Sequence, residues 1–194
     1  MTRGRIMLIG CGILRKEVEF LIAKNNWPLR PLFLDSALHV DFDRLASALT
    51  SALDRHRGKE IIVFYGTCHP LMERILAEAR TFRTRGQNCV EMLLGHELFT
   101  RELSAGAYFL LEEWARRWEQ IQAKTFNTTN LALIRDIFRE DRKYLLALKT
   151  PCSNDFSADA ERAAGLVDLP LRWRSVSLDH LETVLAEAIA RKTR

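Results

Sequence analysis

The sequence contains no C-x-x-C pair, which excludes the zinc-ribbon and thioredoxin patterns. Its four cysteines, Cys11, Cys68, Cys89 and Cys152, lie far apart along the chain. With 47% hydrophobic residues in a chain of 194, there is enough apolar material for a full core without disulfides. In a reducing cytoplasm we therefore expect these cysteines to be free thiols, metal ligands or buried core residues.

A long hydrophobic run is also missing, because no window approaches the roughly 18–20 apolar residues of a membrane-spanning helix. The stretch from Met1 to Leu14 is basic and then apolar, as in a secretory signal. However, Gly10 and Gly12 interrupt its apolar part, and no small-residue cleavage site follows. We interpret this stretch as a first strand and expect a cytoplasmic protein that does not contact a membrane.

Charge of one sign is not concentrated in this chain. The formal net charge is +4 at pH 7, and basic residues alternate with acidic ones in stretches such as 135–143. The two basic clusters, residues 80–85 and 191–194, are short. A nucleic-acid footprint needs basic residues gathered on one face, so we favour an ordinary solvated surface and do not expect a nucleic-acid partner.

Short apolar runs alternate with longer amphipathic segments, and no repeat, low-complexity tract or linker interrupts them. This alternation is typical of a mostly parallel sheet covered by helices. The predicted strands are residues 5–10, 29–34, 60–65, 88–94, 143–148 and 171–176. The prediction is a Rossmann-like three-layer α/β fold with a mostly parallel sheet and a helical insertion. Residues 1–194 would form a single domain, with 96–138 as a helical subdomain.

Three cysteines follow the ends of predicted strands. Cys11 follows the first strand, Cys68 the third and Cys152 the fifth. Ligands of open α/β sheets bind outside the carboxyl ends of the strands, so parallel strands would bring these thiols to one edge, with Asp35 and His69. Each cysteine taken alone is equally well explained as a buried core residue.

The same edge supplies the candidate cofactor-binding residues. The sequence from Gly10 to Gly12 matches only the first half of the dinucleotide fingerprint G-x-G-x-x-G, because Arg15 stands where the third glycine would be. A tight turn from strand to helix explains both glycines without a nucleotide. The candidates are Gly10, Gly12, Asp35, Tyr65 and Gly66.

Two kinds of chemistry suit thiols at such an edge. Thiolates with an imidazole nearby are good ligands for zinc or an iron–sulfur cluster. Alternatively, Cys68 precedes a helix amino terminus, whose partial positive charge stabilises a thiolate, and could be a nucleophile. Adjacent side chains usually point apart, so His69 is also explained as a polar residue at the helix start. Strand position leaves Cys89 open between a core residue and a site residue.

Several short motifs resemble those of a known family. They are Cys11-Gly-Ile-Leu14, Tyr65-Gly-Thr-Cys68, the stretch 88–95, and residues 106–111 followed by Trp114. Through them, roughly residues 5–150 resemble the domain-of-unknown-function family 1638, whose members tend to occur near corrinoid-dependent methylamine methyltransferases. The recurring cysteines of that family fall here on Cys11, Cys68 and Cys89. This chain has His69 where the family often has glycine, and Asn88 in place of an aspartate.

The resemblance implies that Cys89 belongs with Cys11 and Cys68. Our leading hypothesis is a metal- or iron–sulfur-binding protein in or beside one-carbon, methylamine or corrinoid metabolism, with a corrinoid protein or methyltransferase as partner. Its cofactor would be an iron–sulfur cluster or zinc, held by these three cysteines and by Cys152 or His69. One alternative is a metal-free enzyme with Cys68 as nucleophile or methyl acceptor and His69 beside it. Another is a non-catalytic partner protein with buried cysteines. Whether the chain is an enzyme or forms an oligomer stays open.

Overall fold

The computed structural model describes residues 6–193. These residues divide into two compact units, one made of residues 6–93 with 178–193 and the other of residues 94–177. The predicted start of the first strand at Arg5 and the last residue of the basic tail lie outside the described residues. None of the helices within 6–193 is long and apolar enough to cross a membrane.

The described residues alternate between strands and helices. The strands are β1 (Ile6–Cys11), β2 (Leu29–Leu34), β3 (Ile61–Phe64), β4 (Ala107–Leu110), β5 (Tyr144–Lys149) and β6 (Leu171–Ser175). The helices are α1 (Arg15–Lys24), α2 (Phe42–Arg55), α3 (Met72–Glu78), α4 (Cys89–Leu94), α5 (His96–Ser104), α6 (Glu112–Arg116), α7 (Trp118–Thr125), α8 (Leu131–Asp141), α9 (Ser157–Val167) and α10 (Asp179–Lys192). Short 3-10 helices span Gly12–Leu14 and Ser36–Val40.

The first unit contains a parallel sheet with strand order β2-β1-β3. The central strand β1 is buried along its whole length, which explains its nearly continuous apolar sequence. Leu8 and Ile9 of this strand are fully buried, as are Leu21 of α1 and Leu45 of α2. Because all three strands are parallel, their carboxyl ends meet at one edge of the sheet.

The second unit contains a parallel sheet with strand order β4-β5-β6. Its central strand β5 is buried except at Lys149. Trp118 packs against Tyr108 and Phe138, with ring centroids 5.4 and 5.5 Å apart, in the core of this unit. The two parallel sheets and their helices confirm the predicted Rossmann-like α/β class.

Five of the six predicted strands are confirmed, but the strand predicted at residues 88–94 is wrong, because these residues form α4. Asn88 caps this helix, since its Oδ1 accepts a hydrogen bond from the backbone N–H of Glu91 at 2.9 Å. Glu91 Oε2 in turn accepts one from the N–H of Gln87 at 2.6 Å, as in a capping box. A short apolar run is compatible with a buried helix as well as with a strand. Here the hydrogen bonds of Asn88 and Glu91 stabilise the start of a helix.

The segment predicted as mainly helical, residues 96–138, contains a strand that the sequence did not predict. Residues 107–110 form β4, which pairs in parallel with β5. Gly106 has a φ of +89°, and a Cβ there would lie 2.8 Å from Lys143 Cγ, so a glycine is needed where the chain turns into β4. Residues 96–138 are therefore part of an α/β unit and do not form an all-helical insertion.

Candidate functional site

Cys11 is the last residue of β1, the central strand of the first sheet, whereas the sequence placed it just after that strand. It is buried, and the 3-10 helix Gly12–Leu14 follows it directly. A Cβ on Gly12 would lie 2.9 Å from the carbonyl oxygen of Leu34, so this glycine permits the close approach of the turn to β2. The Cys11 thiol is thereby fixed at the carboxyl edge.

Cys68 lies in the loop between β3 and α3, at the same edge of the sheet. Burial raises the pKa of its thiol, and negative charge on Cys11 would raise it further. A hydrogen bond from the backbone of Gly66 and the charge of Arg83 act in the opposite direction without reversing the shift. At neutral pH this thiol is therefore protonated.

Cys89 reaches the same edge from α4, by a route that the sequence did not indicate. Residues 82–84 run parallel to β3, with Val63 N–H donating to Phe82 O at 3.0 Å. The chain then passes against the loop after β3, where Thr67 N–H donates to Gln87 O at 2.7 Å. Two residues later it enters α4, which begins with Cys89.

Gly66 makes this approach possible. A Cβ on Gly66 would lie 2.0 Å from the carbonyl oxygen of Gln87 and 2.4 Å from its carbonyl carbon. Both atoms are backbone, so no side-chain rotation would relieve the contact. Thr67 Oγ1 adds a second hydrogen bond to the same oxygen, at 3.2 Å. The absence of a side chain at residue 66 thus sets the position of the segment that carries Cys89.

The three thiols affect one another's pKa values. The side chains of Cys11 and Cys89 are hydrogen-bonded, and this bond is the largest cause of a Cys89 pKa well above its usual value. Burial raises the pKa of Cys89 further, as would negative charge on Cys11 and then on Cys68. The structure thus gathers three thiols from three separate segments, of which Cys11 and Cys89 are buried and Cys68 is partly exposed. We call these three residues the thiol site.

Tyr65 immediately follows β3 and is buried beside the thiol site, with 1% of its surface exposed. Its hydroxyl has no hydrogen-bond partner among the described residues. Burial raises the pKa of this hydroxyl, and negative charge on Cys11, Cys89 and Cys68 would raise it further, in that order. An unpaired buried hydroxyl costs about 1–3 kcal/mol of stability, so it marks a place where a partner is missing.

Asp35 and His69 reach this edge of the sheet, but each caps a turn. Asp35 Oδ1 accepts a hydrogen bond from Ala37 N–H at 2.9 Å. His69 is buried, and its Nδ1 accepts one from Leu71 N–H at 2.9 Å. A neutral imidazole whose Nδ1 accepts carries its proton on Nε2. A metal-bound imidazole instead coordinates with one nitrogen and donates with the other, so this cap argues against His69 as a ligand.

Cys152 follows β5, so its predicted place beyond a strand end is confirmed. That strand, however, belongs to the sheet of the second unit, and the single edge predicted for all strands is divided between two sheets. The backbone N–H of Cys152 donates to Thr150 Oγ1 at 3.1 Å, within a turn that Ser153 also stabilises. A shared site with the thiols of the first unit stays a prediction.

The thiol site is not a preformed metal cage. Within the described part of the chain, no group of three or more His, Cys, Asp or Glu side chains is arranged to hold a metal ion as it stands. The pKa values of the Cys68 and Cys89 thiols are raised, and the side chains of Cys11 and Cys89 are hydrogen-bonded to each other. To bind a metal, Cys68 and Cys89 would have to lose their protons.

Replacing Tyr65 by phenylalanine is expected to stabilise the metal-free protein by about 1 kcal/mol, because the change removes an unpaired buried hydroxyl. Tyr108→Phe is the matched control. The hydroxyl of Tyr108 accepts a hydrogen bond from the buried Gln122 amide at 3.1 Å, so its loss should cost about 1 kcal/mol. Urea denaturation with a chelator present measures both changes. Equal destabilisation by both substitutions would show that Tyr65 has a partner after all.

Fold and site together define an α/β protein of the Rossmann-like class, with buried thiols at the carboxyl edge of a parallel sheet. The chain belongs to the family described as "Protein of unknown function (DUF1638)", whose model matches residues 33–185. The predicted family is thereby confirmed, and the match includes Cys68, Cys89 and Cys152, whereas Cys11 precedes it. No curated protein and no solved structure matches the chain.

Proposed function

We propose that Cys11, Cys68 and Cys89 form a binding site for a soft metal, either zinc or an iron–sulfur cluster. The observation that carries this proposal is the gathering of three thiols from separate segments beside an unpaired buried hydroxyl. Thiolates are the preferred ligands of zinc, copper(I) and iron–sulfur clusters. A site assembled only by the fold also explains why the sequence contains no C-x-x-C pair.

The proposed site has three protein ligands, Cys11, Cys68 and Cys89, which leaves a fourth coordination position on the metal to be filled. Three protein ligands and one open position are typical of catalytic zinc sites, whereas structural zinc sites have four protein ligands. His69 is held in a turn, where its Nδ1 accepts a hydrogen bond from Leu71 N–H. We therefore propose that the fourth position receives either Cys152, as the sequence predicted, or a small exchangeable ligand. A role in or beside one-carbon or corrinoid metabolism, in the cytoplasm, is part of this proposal and is supported by the resemblance described above.

The protonated state of Cys68 and Cys89 fits a role that depends on a cation. Burial and mutual contact raise the pKa values of Cys68 and Cys89, so without a metal these groups are neutral. A bound cation would stabilise the thiolates and displace their protons, as in other thiolate sites. Arg83 and the Gly66 N–H would support the thiolate of Cys68 from the protein side.

Metal analysis of single cysteine variants tests this proposal. Protein purified anaerobically, or reconstituted with zinc or with iron and sulfide, should contain stoichiometric metal. Alanine at Cys11, Cys68 or Cys89 should reduce that content by at least half, because each removes one of three ligands. Cys152→Ala decides the fourth position, because metal should be lost if Cys152 is a ligand and retained if an exchangeable ligand occupies that position. Metal-free wild-type protein after reconstitution, or full metal content in Cys89→Ala, would refute the proposal. Circular dichroism verifies that each variant is folded.

A second candidate is a metal-free reaction at Cys68. Unlike the buried Cys11 and Cys89, Cys68 is partly exposed. The Gly66 N–H and Arg83 favour its thiolate, as a nucleophile or methyl acceptor requires. The net rise of its pKa makes this candidate the weaker one. Rapid alkylation of Cys68 at neutral pH in metal-free protein would favour it, whereas reaction only after denaturation would favour buried, non-catalytic cysteines.

A further inference from the structure

We infer that residues 81–85 form an open edge of the first sheet, to which an extended peptide segment with acidic side chains adds as a further strand. We call these residues the edge segment. The inference goes beyond the proposed function, because it concerns a surface for a partner protein and does not depend on a metal at the thiol site.

The edge segment lies beside β3. Val63 of β3 donates its N–H to Phe82 O at 3.0 Å, and its carbonyl oxygen accepts from Thr84 N–H at 2.8 Å. Thr81 Oγ1 adds a hydrogen bond to Ile61 O at 2.7 Å. Since β1 occupies the other side of β3, the edge segment extends the sheet by one further position and runs parallel to β3.

The backbone of Arg83 is available for pairing. Because the flanking residues Phe82 and Thr84 supply the groups that bond Val63, the N–H and C=O of Arg83 point away from β3. Neither of these two groups has a hydrogen-bond partner among residues 6–193. An unpaired N–H and C=O at a sheet edge form a template for a strand of another chain.

The side chain of Arg83 holds the edge segment in place. Its Nε donates to Glu73 Oε1 of α3 at 2.7 Å. Its Nη1 donates to the carbonyl oxygens of Thr84 and Gly86 at 3.1 and 2.9 Å. The edge segment is therefore fixed before a partner binds, which reduces the entropy lost on binding.

Cavities flank the edge segment on both of its faces. Successive side chains of an extended segment point to opposite faces. Arg83 reaches Glu73 of α3, whereas the ring of Phe82 lies 4.0 Å from the guanidinium carbon of Arg191 in α10. A cavity of about 390 Å³ lies on the α3 side, and one of about 320 Å³ lies on the α10 side. Side chains of an added strand alternate in the same way, so they would enter the two cavities in turn.

The charges around these cavities favour an acidic partner. Three arginines, Arg83, Arg85 and Arg191, line both cavities. Arg83 is paired with Glu73 and Arg85 with Glu187, whereas Arg191 has no carboxylate partner within the described part of the chain. A carboxylate of the added strand would complete an ion pair with Arg191. A second copy of the edge segment would instead bring the same arginines, and like charges on paired strands repel.

Fluorescence anisotropy with a labelled peptide tests the inference. The probe is an eight-residue peptide of alternating glutamate and valine, titrated with the full chain in the presence of a chelator. Arg191→Gln should bind this peptide about 10-fold or more weakly, because it loses a hydrogen bond between two charged groups. Arg57→Gln is the matched control and should bind like wild-type protein. It removes the same charge from an exposed arginine of the same unit, which is paired with Asp54 and lines neither cavity.

Hydrogen exchange at the Arg83 amide distinguishes strand addition from simple attraction of an anion. Saturation with the glutamate peptide should slow this exchange at least about 10-fold, because the amide gains a hydrogen bond. No binding, or binding without slower exchange, would overturn the inference. Equal affinity for a peptide of alternating lysine and valine, or an unchanged affinity in Arg191→Gln, would overturn it as well.

Sedimentation of the peptide-free protein examines the other occupant. Dimers whose Arg83 amide is already protected would assign the edge segment to a second copy and overturn the acidic partner. Monomers with an unprotected amide are expected. Because all these measurements use metal-free protein, their failure would leave the proposed metal site unaffected.

Discussion

Gly66→Ala is expected to destabilise the protein by about 3 kcal/mol or more and to abolish metal binding at the thiol site. The added Cβ would lie 2.0 Å from the backbone oxygen of Gln87, so the two segments would have to separate. Separation breaks both hydrogen bonds from Thr67 to that oxygen and moves Cys89 away from Cys11. Urea denaturation measures the loss of stability, and metal content after reconstitution measures the loss of the site.

Gly165→Ala is the matched control for this substitution. Gly165 lies within α9, and a Cβ there would have nothing within 4 Å. Alanine at this position should therefore stabilise the protein by about 0.5–1 kcal/mol, through the higher helix propensity of alanine alone. If Gly66→Ala were as stable as wild-type protein, the close approach of the two segments would be refuted.

The metal-free protein should lose stability steeply above a pH of about 8.5, where thiols of an unfolded chain ionise. The pKa values of Cys68 and Cys89 are raised in the folded protein, so the folded state keeps protons that the unfolded state releases. The resulting stabilisation is complete below that pH. As the pH rises toward the folded pKa values, stability should fall by about 1.4 kcal/mol per pH unit for each thiol. Tyr65, whose pKa is also raised, adds to the fall above a pH of about 10.

Denaturation at several pH values between 7 and 10.5, with a chelator and a reductant present, gives the slope of this fall. Cys89→Ala should start from a lower stability at pH 7, because it loses buried contacts, but its slope should be shallower by about 1.4 kcal/mol per pH unit. An equal slope in the variant and in wild-type protein would mean that Cys89 ionises normally in the fold.

The sequence was most informative where strands are buried on both faces. In β1 and β5 nearly every residue is buried, so the apolar run is continuous and the strand is predictable. It was least informative for apolar runs of four to six residues, such as α4 and β4. In runs of that length, the spacing of the apolar residues does not distinguish a short buried helix from a strand. For α4 a signal was present, since Asn88 and Glu91 have capping-box spacing.

The site was predictable only in part. The rule that ligands bind beyond strand ends correctly placed Cys11 and Cys68 at one edge, since β1 and β3 are parallel neighbours. Cys89 arrives on a helix, so no strand rule could find it, and only the resemblance to other sequences indicated it. The same rule placed Cys152 at that edge too, because sequence does not reveal that β5 belongs to a second sheet. No motif marks Thr67 or Gln87, whose contact depends on the fold.

The division of the chain also makes the first unit depend on the last helix. Residues 94–177 form a continuous unit, whereas the first unit needs residues 178–193 in addition to 6–93. Helix α10 is held to the rest of that unit by Glu182, which bonds Lys24 and Asn25, and by Lys192, which pairs with Glu60. A chain that ended before residue 178 would therefore contain all of the second unit but only part of the first. The three thiols lie in the unit that such a truncation would leave incomplete.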